Sequence, residues 1–468
     1  MRRFLPELLR GGADAPSFTP PRPPSRPLHR PLLWTLCTLA AMPAAVHAYA
    51  AAPCPSELPA GTRCEAGRDA RGAYYWTAIP AAWNGVLVVH SHGGPSLKAP
   101  APDDAREDLV RFAVVVGEGY AWTGSSYRHA GYGVRDAAED TDSARAIFWR
   151  DHGRPRRTLL HGQSWGGNVA ARTAELHARD GAGRLNYDGV VLTNGVMAGG
   201  TRSYDFRADL RAVYQYYCNN LPAPNEPAYP LWQGLPPAGT PGAIGNAEIE
   251  KRINACTGVH LAPGERSARQ SEALRNITQV LRIRDSALVS HMNWASGMFR
   301  DLTQRFLKGK NPFGNIGVAY TGSNDDAALN AGVARFAADP AAVAELAWDS
   351  DIGGKLQVPT LSIHAIGDPT AFVELEAAFA GKVTAAGAGE MLLQVYTDEH
   401  EHRKLATPQY AAVFASMLAW IEQGKRPDVR AVMRACESAA PRYGEACKID
   451  PGYAPPPLNS RVYPRSKP

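Results

Sequence analysis

The sequence predicts an α/β fold with a doubly wound, mostly parallel β-sheet. Short runs of β-branched and other apolar residues, such as residues 85–90, are typical of strands that are buried on both faces of a sheet. Segments with helical periodicity lie between them, as at residues 410–421, where apolar side chains recur every three or four positions. Residues 162–166 join a predicted strand directly to a predicted helix through a glycine-flanked turn. Strands and helices that alternate in this way form a parallel sheet covered by helices.

The first half of the chain supplies strands and helices in turn. Asp103 or Asp104 is predicted to begin the first helix. Asp136 and Glu139, three residues apart, are predicted to form a capping box for the second. A third predicted helix follows the glycine-flanked turn. The strands predicted in this half are residues 85–90, 120–123, 158–161 and 189–193.

The alternation stops at residue 199 and resumes near residue 350. The strand pattern then returns at residues 358–365 and 391–396, so the block between is interpreted as a mainly helical insertion. Its aromatic residues would either line a pocket or form the core of the insertion itself, and both interpretations stay open. These aromatic residues are Tyr214, Tyr216, Tyr217, Tyr229, Trp232, Trp294 and Phe299. The proline-rich tail after Cys447 is expected to be loosely held.

The first fifty residues have the pattern of an export signal. A long arginine-rich lead precedes an apolar segment at residues 32–41, and cleavage is expected after Ala48 or Ala50. The apolar segment is too short for a transmembrane helix, so no stable membrane anchor is expected. Removal of residues 1–50 would leave 44 basic and 43 acidic side chains. This balance gives no reason to expect a nucleic-acid partner.

Six cysteines follow the predicted signal, and their even number in an exported chain predicts disulfides. Of the fifteen ways to pair six cysteines, the pairing of sequence neighbours is predicted. The predicted pairs are Cys54 with Cys64, Cys218 with Cys256, and Cys436 with Cys447. No cysteine spacing is typical of a zinc site, and neither a metal nor a cofactor is expected.

The segment Gly162-Gln-Ser-Trp-Gly166 is a GxSxG motif between a predicted strand and a predicted helix. In this context it predicts a nucleophile elbow, a sharp turn that presents Ser164 above the edge of the sheet. Glycine is needed on both sides because larger side chains would collide with the adjoining strand and helix. Ser164 is therefore the predicted nucleophile.

A second motif, His90-Ser-His-Gly-Gly-Pro95, closes the first predicted core strand. Glycines here would let the backbone approach a substrate carbonyl closely, so the N–H group of Gly93 or Gly94 is a predicted oxyanion donor. The N–H group of Trp165 is the predicted second donor. A metal site at His90 and His92 is the weaker interpretation, because no carboxylate or further histidine lies close to them in sequence.

Through these motifs the chain resembles the secreted α/β-hydrolase fold serine hydrolases, which include esterases, lipases and prolyl-peptidase-like enzymes. The resemblance spans residues 83–200 and 355–425 and is strongest at HGGP, GQSWGG and the Gly-Asp-Pro…His spacing. It implies the α/β-hydrolase fold, with the insertion forming a cap after the sixth strand. The domains that this predicts are residues 1–50 (signal peptide), 51–198 (core), 199–350 (cap), 351–430 (core) and 431–468 (disulfide-containing tail).

The same resemblance implies a catalytic triad in the chain order serine, acid, histidine. His402, after the last predicted strand, is the predicted base, and His400 remains an alternative. Asp368, after the preceding strand, is the predicted acid that orients the imidazole. The alternatives for the acid are Asp398 and Glu374.

The function predicted from the sequence is that of an exported serine hydrolase that cleaves a carboxylic ester through an acyl-enzyme. Its expected partner is a small-molecule or polymeric ester substrate, and the sequence predicts no oligomeric state. The alternatives are a peptidase of the prolyl-aminopeptidase type, an acyltransferase in which an alcohol replaces water, and a catalytically silent binding protein of the same fold. The peptidase would need an acidic residue in the cap to bind the amino group of the substrate. The candidates for that acid are Glu248, Glu250 and Glu272.

Overall fold

The computed structural model describes residues 50–465, so the predicted signal segment lies almost wholly outside the described residues. Within them is one nine-stranded sheet in the order β1-β2-β3-β5-β4-β6-β7-β8-β9. The strands are β1 (Ala50–Ala52), β2 (Arg63–Arg68), β3 (Tyr74–Ile79), β4 (Val86–Ser91), β5 (Ala121–Ser125), β6 (Arg157–Gln163), β7 (Gly189–Thr193), β8 (Thr360–Ala365) and β9 (Leu392–Thr397). From β5 to β9 all neighbours in the sheet are parallel, whereas β1, β2 and β3 are antiparallel additions at one edge. The predicted fold class is confirmed.

Helices cover both faces of the sheet, and further helices form much of the long connection between β7 and β8. The α-helices of the described residues are α1 (Asp104–Arg111), α2 (Ala113–Gly117), α3 (Val134–His152), α4 (Trp165–Leu176), α5 (Gly200–Ser203), α6 (Asp205–Cys218), α7 (Asn246–Thr257), α8 (Ala268–Leu281), α9 (Leu288–Asn293), α10 (Asp326–Gly332), α11 (Pro340–Ser350), α12 (Glu374–Ala385), α13 (Thr407–Gln423) and α14 (Val429–Tyr443). The start of α3 differs from the prediction, because Asp136 lies inside the helix and bonds Arg128 instead of capping.

Alternate residues of each central strand enter different cores. Val88 of β4 packs in a core with α1 and α13, whereas Val89 packs in the opposite core with α3, α4 and α12. Burial on both faces explains why these strands are continuous apolar runs in the sequence. Strands β2 and β3 were not predicted. Charged and small residues interrupt the apolar pattern of β2, whereas β3 (Tyr-Tyr-Trp-Thr-Ala-Ile) has the composition of a strand and was missed.

Helices α5 to α11 form the insertion between β7 and β8. Counting from β2, this cap follows the sixth strand of the sheet. It has a core of its own, to which Leu210, Ile249 and Ile277 contribute from α6, α7 and α8. Tyr214 lies in this core, with Tyr216 and Tyr217 packed against it, so these three aromatic residues are structural.

The structure pairs the cysteines as predicted, with disulfides Cys54–Cys64, Cys218–Cys256 and Cys436–Cys447. The expectation of a loosely held tail is wrong for the described residues. Leu458, Val462 and Tyr463 are buried, and the hydroxyl of Tyr463 donates to the carbonyl of Val280 in the cap at 2.8 Å.

Among residues 50–465, no helix combines the length and the hydrophobicity that a membrane span requires.

Candidate active site

The turn between β6 and α4 has the strained geometry of a nucleophile elbow. Ser164 adopts φ 60° and ψ −127°, a backbone conformation that residues other than glycine rarely take. A Cβ atom at Gly162 would collide with the carbonyl oxygen of Gly166, and one at Gly166 would collide with the carbonyl oxygens of Ser91 and His92. The glycines of the motif therefore allow the strand, the turn and the loop that follows β4 to pack in contact.

Three residues that lie far apart in the sequence meet at this turn. The Nε2 atom of His402 is 2.7 Å from the Oγ atom of Ser164. The Nδ1 atom of the same ring is 2.7 Å from Oδ2 of Asp368. With a proton on Nδ1, the imidazole donates to the carboxylate and accepts from the hydroxyl, which is the arrangement a general base needs.

Buried hydrogen bonds hold the carboxylate of Asp368 in place. Its side chain is fully buried, and Oδ1 accepts from the backbone N–H groups of Thr370 at 2.7 Å and Ala371 at 3.0 Å. Oδ2 is thereby left facing His402. The alternative acids lie elsewhere: Asp398 is 72% exposed, and Glu374 pairs with Arg461.

The loop that carries His402 is bound to the sheet through its backbone. The carbonyl oxygen of His402 accepts from the side-chain amides of Gln163 at 2.9 Å and Asn194 at 2.8 Å. His400, two residues earlier, is 60% exposed and lies 3.2 Å from Arg284 of the cap. The geometry thus brings His402, and not His400, to the serine.

The residues whose N–H groups the sequence predicts as oxyanion donors, Gly93, Gly94 and Trp165, lie beside Ser164. Trp165 is the first residue of α4, so its N–H group has no acceptor within the helix. Gly94 lines the same cavity as Ser164 and has φ +61°. Gly93 packs against the elbow, because a Cβ atom there would lie 2.9 Å from the side-chain oxygen of Gln163.

The two histidines of the second motif bind a carboxylate that the sequence analysis missed. Asp108 on α1 lies 3.2 Å from Nε2 of His90 and forms a shorter contact with Nδ1 of His92. His90 also reaches His161 of β6, at 2.9 Å between their Nδ1 atoms. The contact of Asp108 with these histidines could not be predicted from the sequence, because Asp108 lies on the next helix. Within residues 50–465, no cluster of metal-ligating side chains is suited to hold an ion.

The protonation of these three histidines depends on their burial and on their distance from the Asp108 carboxylate. Burial lowers the pKa of His90 and His161, so both are neutral near pH 7. Against the effect of burial, the Asp108 carboxylate raises the pKa of His92. A charge-assisted hydrogen bond between Asp108 and His92 therefore holds the start of the loop that follows β4.

A small cavity opens beside the serine between the core and the cap. Its wall includes Gly94, Ser164, Trp165, Tyr204, Arg207 and Trp294. Trp294 is the one aromatic residue of the predicted set in this wall. Sequence analysis missed Arg207, because a single arginine in a helix gives no sign that it faces a cavity.

Known proteins are only distantly similar to this chain. No protein-family model matches the chain, and no curated protein matches it. Among solved structures, an esterase from Aspergillus oryzae is 14% identical, with a TM-score of 0.43, over 78% of this chain and 81% of that chain. Candida antarctica lipase A in its closed state is 13% identical, with a TM-score of 0.40, over 85% and 83%.

The rice cell wall degrading esterase LipA from Xanthomonas oryzae is 15% identical, with a TM-score of 0.35, over 78% of this chain and 90% of that chain. At such identities a likeness concerns the fold alone. The strand order, the parallel core and the strained serine turn are observed in this structure itself. On these grounds, the chain has the α/β-hydrolase fold that its motifs predict.

Proposed function

We propose that this protein is an exported serine hydrolase that cleaves a carboxylic ester. Ser164 is the nucleophile, His402 the general base and Asp368 the residue that orients the base. The observation that carries the proposal is the continuous hydrogen-bonded chain from Ser164 through His402 to Asp368, with both distances at 2.7 Å.

The chemistry follows from the positions of the protons. His402 takes the proton of Ser164 as the serine oxygen attacks the ester carbonyl. The N–H groups of Trp165 and of Gly93 or Gly94 stabilise the negative oxygen that forms. The alcohol then leaves with the proton from His402, and an acyl-enzyme remains. Water attacks this ester with the same base, releases the carboxylic acid and restores the serine.

An ester is favoured over a peptide with a free N-terminal amino group as the substrate. Among the residues that the structure describes, no acidic residue of the cap lines the cavity. Glu248 pairs with Arg252, and Glu250 pairs with His260. The third candidate, Glu272, bonds Asn324. The cavity wall instead carries a cation, Arg207, which would repel a substrate ammonium group.

Export is proposed from the N-terminal pattern together with the three disulfides. Disulfides persist in oxidising compartments, such as the periplasm or the extracellular medium, and are rare in the cytosol.

Labelling with a fluorophosphonate probe tests the nucleophile. The wild-type protein should be labelled and the Ser164→Ala variant should not. A folded wild-type protein that stays unlabelled would favour the catalytically silent alternative. Purified protein should also release product faster from p-nitrophenyl acyl esters than from aminoacyl anilides. Faster release from the anilides would make the protein a peptidase.

A further inference from the structure

Arg207 is a buried cation in the wall of the cavity that contains Ser164. It lies on α6 and is 3% exposed. Within residues 50–465, no carboxylate lies within ion-pair distance of it, and its Nε atom has no hydrogen-bond partner. A buried charge without a partner is costly, so such a residue is uncommon unless it serves a ligand.

The nearby carboxylates are occupied by other arginines. Asp205 pairs with Arg202 and Arg465, and Asp209 binds Arg465 through both of its oxygens. Arg207 is instead surrounded by the rings of Tyr204, Phe206 and Trp294, at 5.5, 4.7 and 4.7 Å. These rings offset part of the cost of burying the charge but leave the guanidinium N–H groups without anionic acceptors.

A second arginine on the same helix shows what a structural role looks like. Arg211 is also fully buried, but it donates to the carbonyl oxygens of Leu221 and Gly234, both at 3.1 Å. Among the described residues Arg207 has no acceptor, whereas Nη2 of Arg211 has acceptors although its Nε and Nη1 atoms have none. Burial lowers the pKa of Arg207 to about 10, so it stays protonated at neutral pH.

Two hydroxyl groups in the same wall also lack partners. Within the described part of the chain, neither Oγ of Ser203 nor the hydroxyl of Tyr204 has a hydrogen-bond partner, although both are buried. Buried polar groups are nearly always hydrogen-bonded. A cation and two residues with unpaired hydroxyl groups in the wall of one small cavity form a candidate site for a small anion.

We propose that Arg207 binds a carboxylate of the ester substrate, with Ser203 and Tyr204 as additional donors. The inference rests on the proposed function, because it assigns a substrate class to the same cavity. A carboxylate fits better than a phosphate, since one guanidinium balances one negative charge and binds its two oxygens side by side. The carboxylate would belong either to the acyl part or to the alcohol part of the ester.

Matched pairs of esters distinguish a carboxylate on the acyl part from a carboxylate on the alcohol part. Monoethyl succinate carries the charge on its acyl part, and ethyl succinamate is its neutral isostere. Acetoxyacetate carries the charge on its alcohol part, and acetoxyacetamide is the matching isostere. In pH-stat assays the wild-type kcat/KM should be about 10- to 100-fold higher for the carboxylate in at least one pair, the ratio expected for a charged hydrogen bond.

Arg207→Met should abolish that preference, whereas Arg207→Lys should retain part of the preference. The matched control is Arg202→Met, because Arg202 lies outside the cavity wall and pairs with Asp205. It should keep the preference of the wild-type protein. If Arg207→Met does not fold, the two wild-type ratios still decide the question.

The failure of this inference is distinguishable from the failure of the proposed function. Hydrolysis of p-nitrophenyl acetate with no preference in either pair would overturn the carboxylate site and leave the hydrolase intact. If no ester is cleaved, calorimetry on Ser164→Ala decides. Binding of either carboxylate ester at least 10-fold tighter than its isostere would support the site, and equal binding would refute it.

Discussion

At the scale of single residues, the sharp turn at Ser164 depends on its flanking glycines, because a Cβ atom at either position would collide with the backbone. Gly166 lets α4 start against the backbone at the end of β4, where a Cβ atom would overlap the carbonyl oxygens of Ser91 and His92. Backbone atoms cannot move aside as the end of a flexible side chain can. The contact therefore fixes the position of Ser164 relative to the loop that faces it.

Gly166→Ala should lower the free energy of unfolding by about 2–3 kcal/mol, at the upper end of the range for overpacking. It should also reduce esterase activity, because relief of the overlap must displace Ser164 or the loop. Denaturant unfolding and the p-nitrophenyl ester assay measure the two effects. The matched control is Gly181→Ala, where a Cβ atom meets nothing within 4 Å, and it should change stability by less than about 0.5 kcal/mol.

The assignment of the base is equally specific. His402→Ala should lower kcat by at least about 10⁴-fold, the loss typical when a triad member is removed. His400→Ala should keep most of the activity, because His400 is exposed and contacts Arg284 rather than the serine. Steady-state kinetics on both variants compare the two directly. The reverse result would move the base to His400.

Asp140 on α3 should make stability depend on pH. Burial raises its pKa to about 7, although the backbone N–H of Arg128 donates to it at 2.8 Å. In the unfolded chain an aspartate titrates near 4. The folded state thus holds a proton that the unfolded state releases, so this contribution is present at pH 4 and is lost as pH rises through about 7.

Asp140→Asn removes this titration. The free energy of unfolding of the variant, relative to the wild-type protein, should therefore rise by about 1–4 kcal/mol between pH 4 and pH 8. Urea unfolding at four or more pH values measures the difference. Parallel pH profiles for the two proteins would contradict the assignment.

At the scale of elements, the central strands were predictable and the antiparallel edge was not. Strands β4, β7 and β8 are buried throughout, and β9 is buried except at Gln394, so apolar residues are frequent in all four. Strand β2 reads Arg-Cys-Glu-Ala-Gly-Arg, and its pairing with β3 depends on the sheet already being in place. Neighbouring strands, and not local sequence, determine an edge strand of this kind.

The disulfide Cys218–Cys256 joins the end of α6 to α7 across a sequence separation of 38 residues. Loss of the crosslink through Cys218→Ala with Cys256→Ala should lower the free energy of unfolding by about 4 kcal/mol, according to the loop-closure relation. Peptide mapping without reduction should find the two cysteines in one linked pair. Another partner for Cys218, or a stability loss below about 1 kcal/mol, would contradict this role.

At the scale of the whole molecule, chain order predicted which three side chains meet at Ser164, but the cavity wall could not be predicted. Ser164, Asp368 and His402 each follow a parallel strand, and the ends of such strands meet at one edge of the sheet. Arg207 becomes part of the site only when α6 of the cap packs over that edge. A helical sequence carries no information about such distant packing.

The C-terminal tail returns to the cap and pairs with the helix that carries Arg207. Arg465 donates to both oxygens of Asp209, at 3.0 and 2.6 Å, and the side chain of Asp209 is fully buried. Arg465→Met would leave that carboxylate without its cation. Loss of one partner of a buried ion pair costs about 3–5 kcal/mol, so denaturant unfolding should show a decrease of that size.

The double variant Arg465→Met with Asp209→Asn separates the ion pair from simple packing. It removes both charges, and the amide oxygen can still accept from the hydroxyl of Tyr320, which lies 2.6 Å from Asp209. The double variant should therefore recover at least half of the lost stability, because the uncompensated charge, and not the lost contact, dominates the cost. If it were as unstable as Arg465→Met alone, the tail would stabilise the cap through packing of its apolar residues, and the ion pair would contribute little.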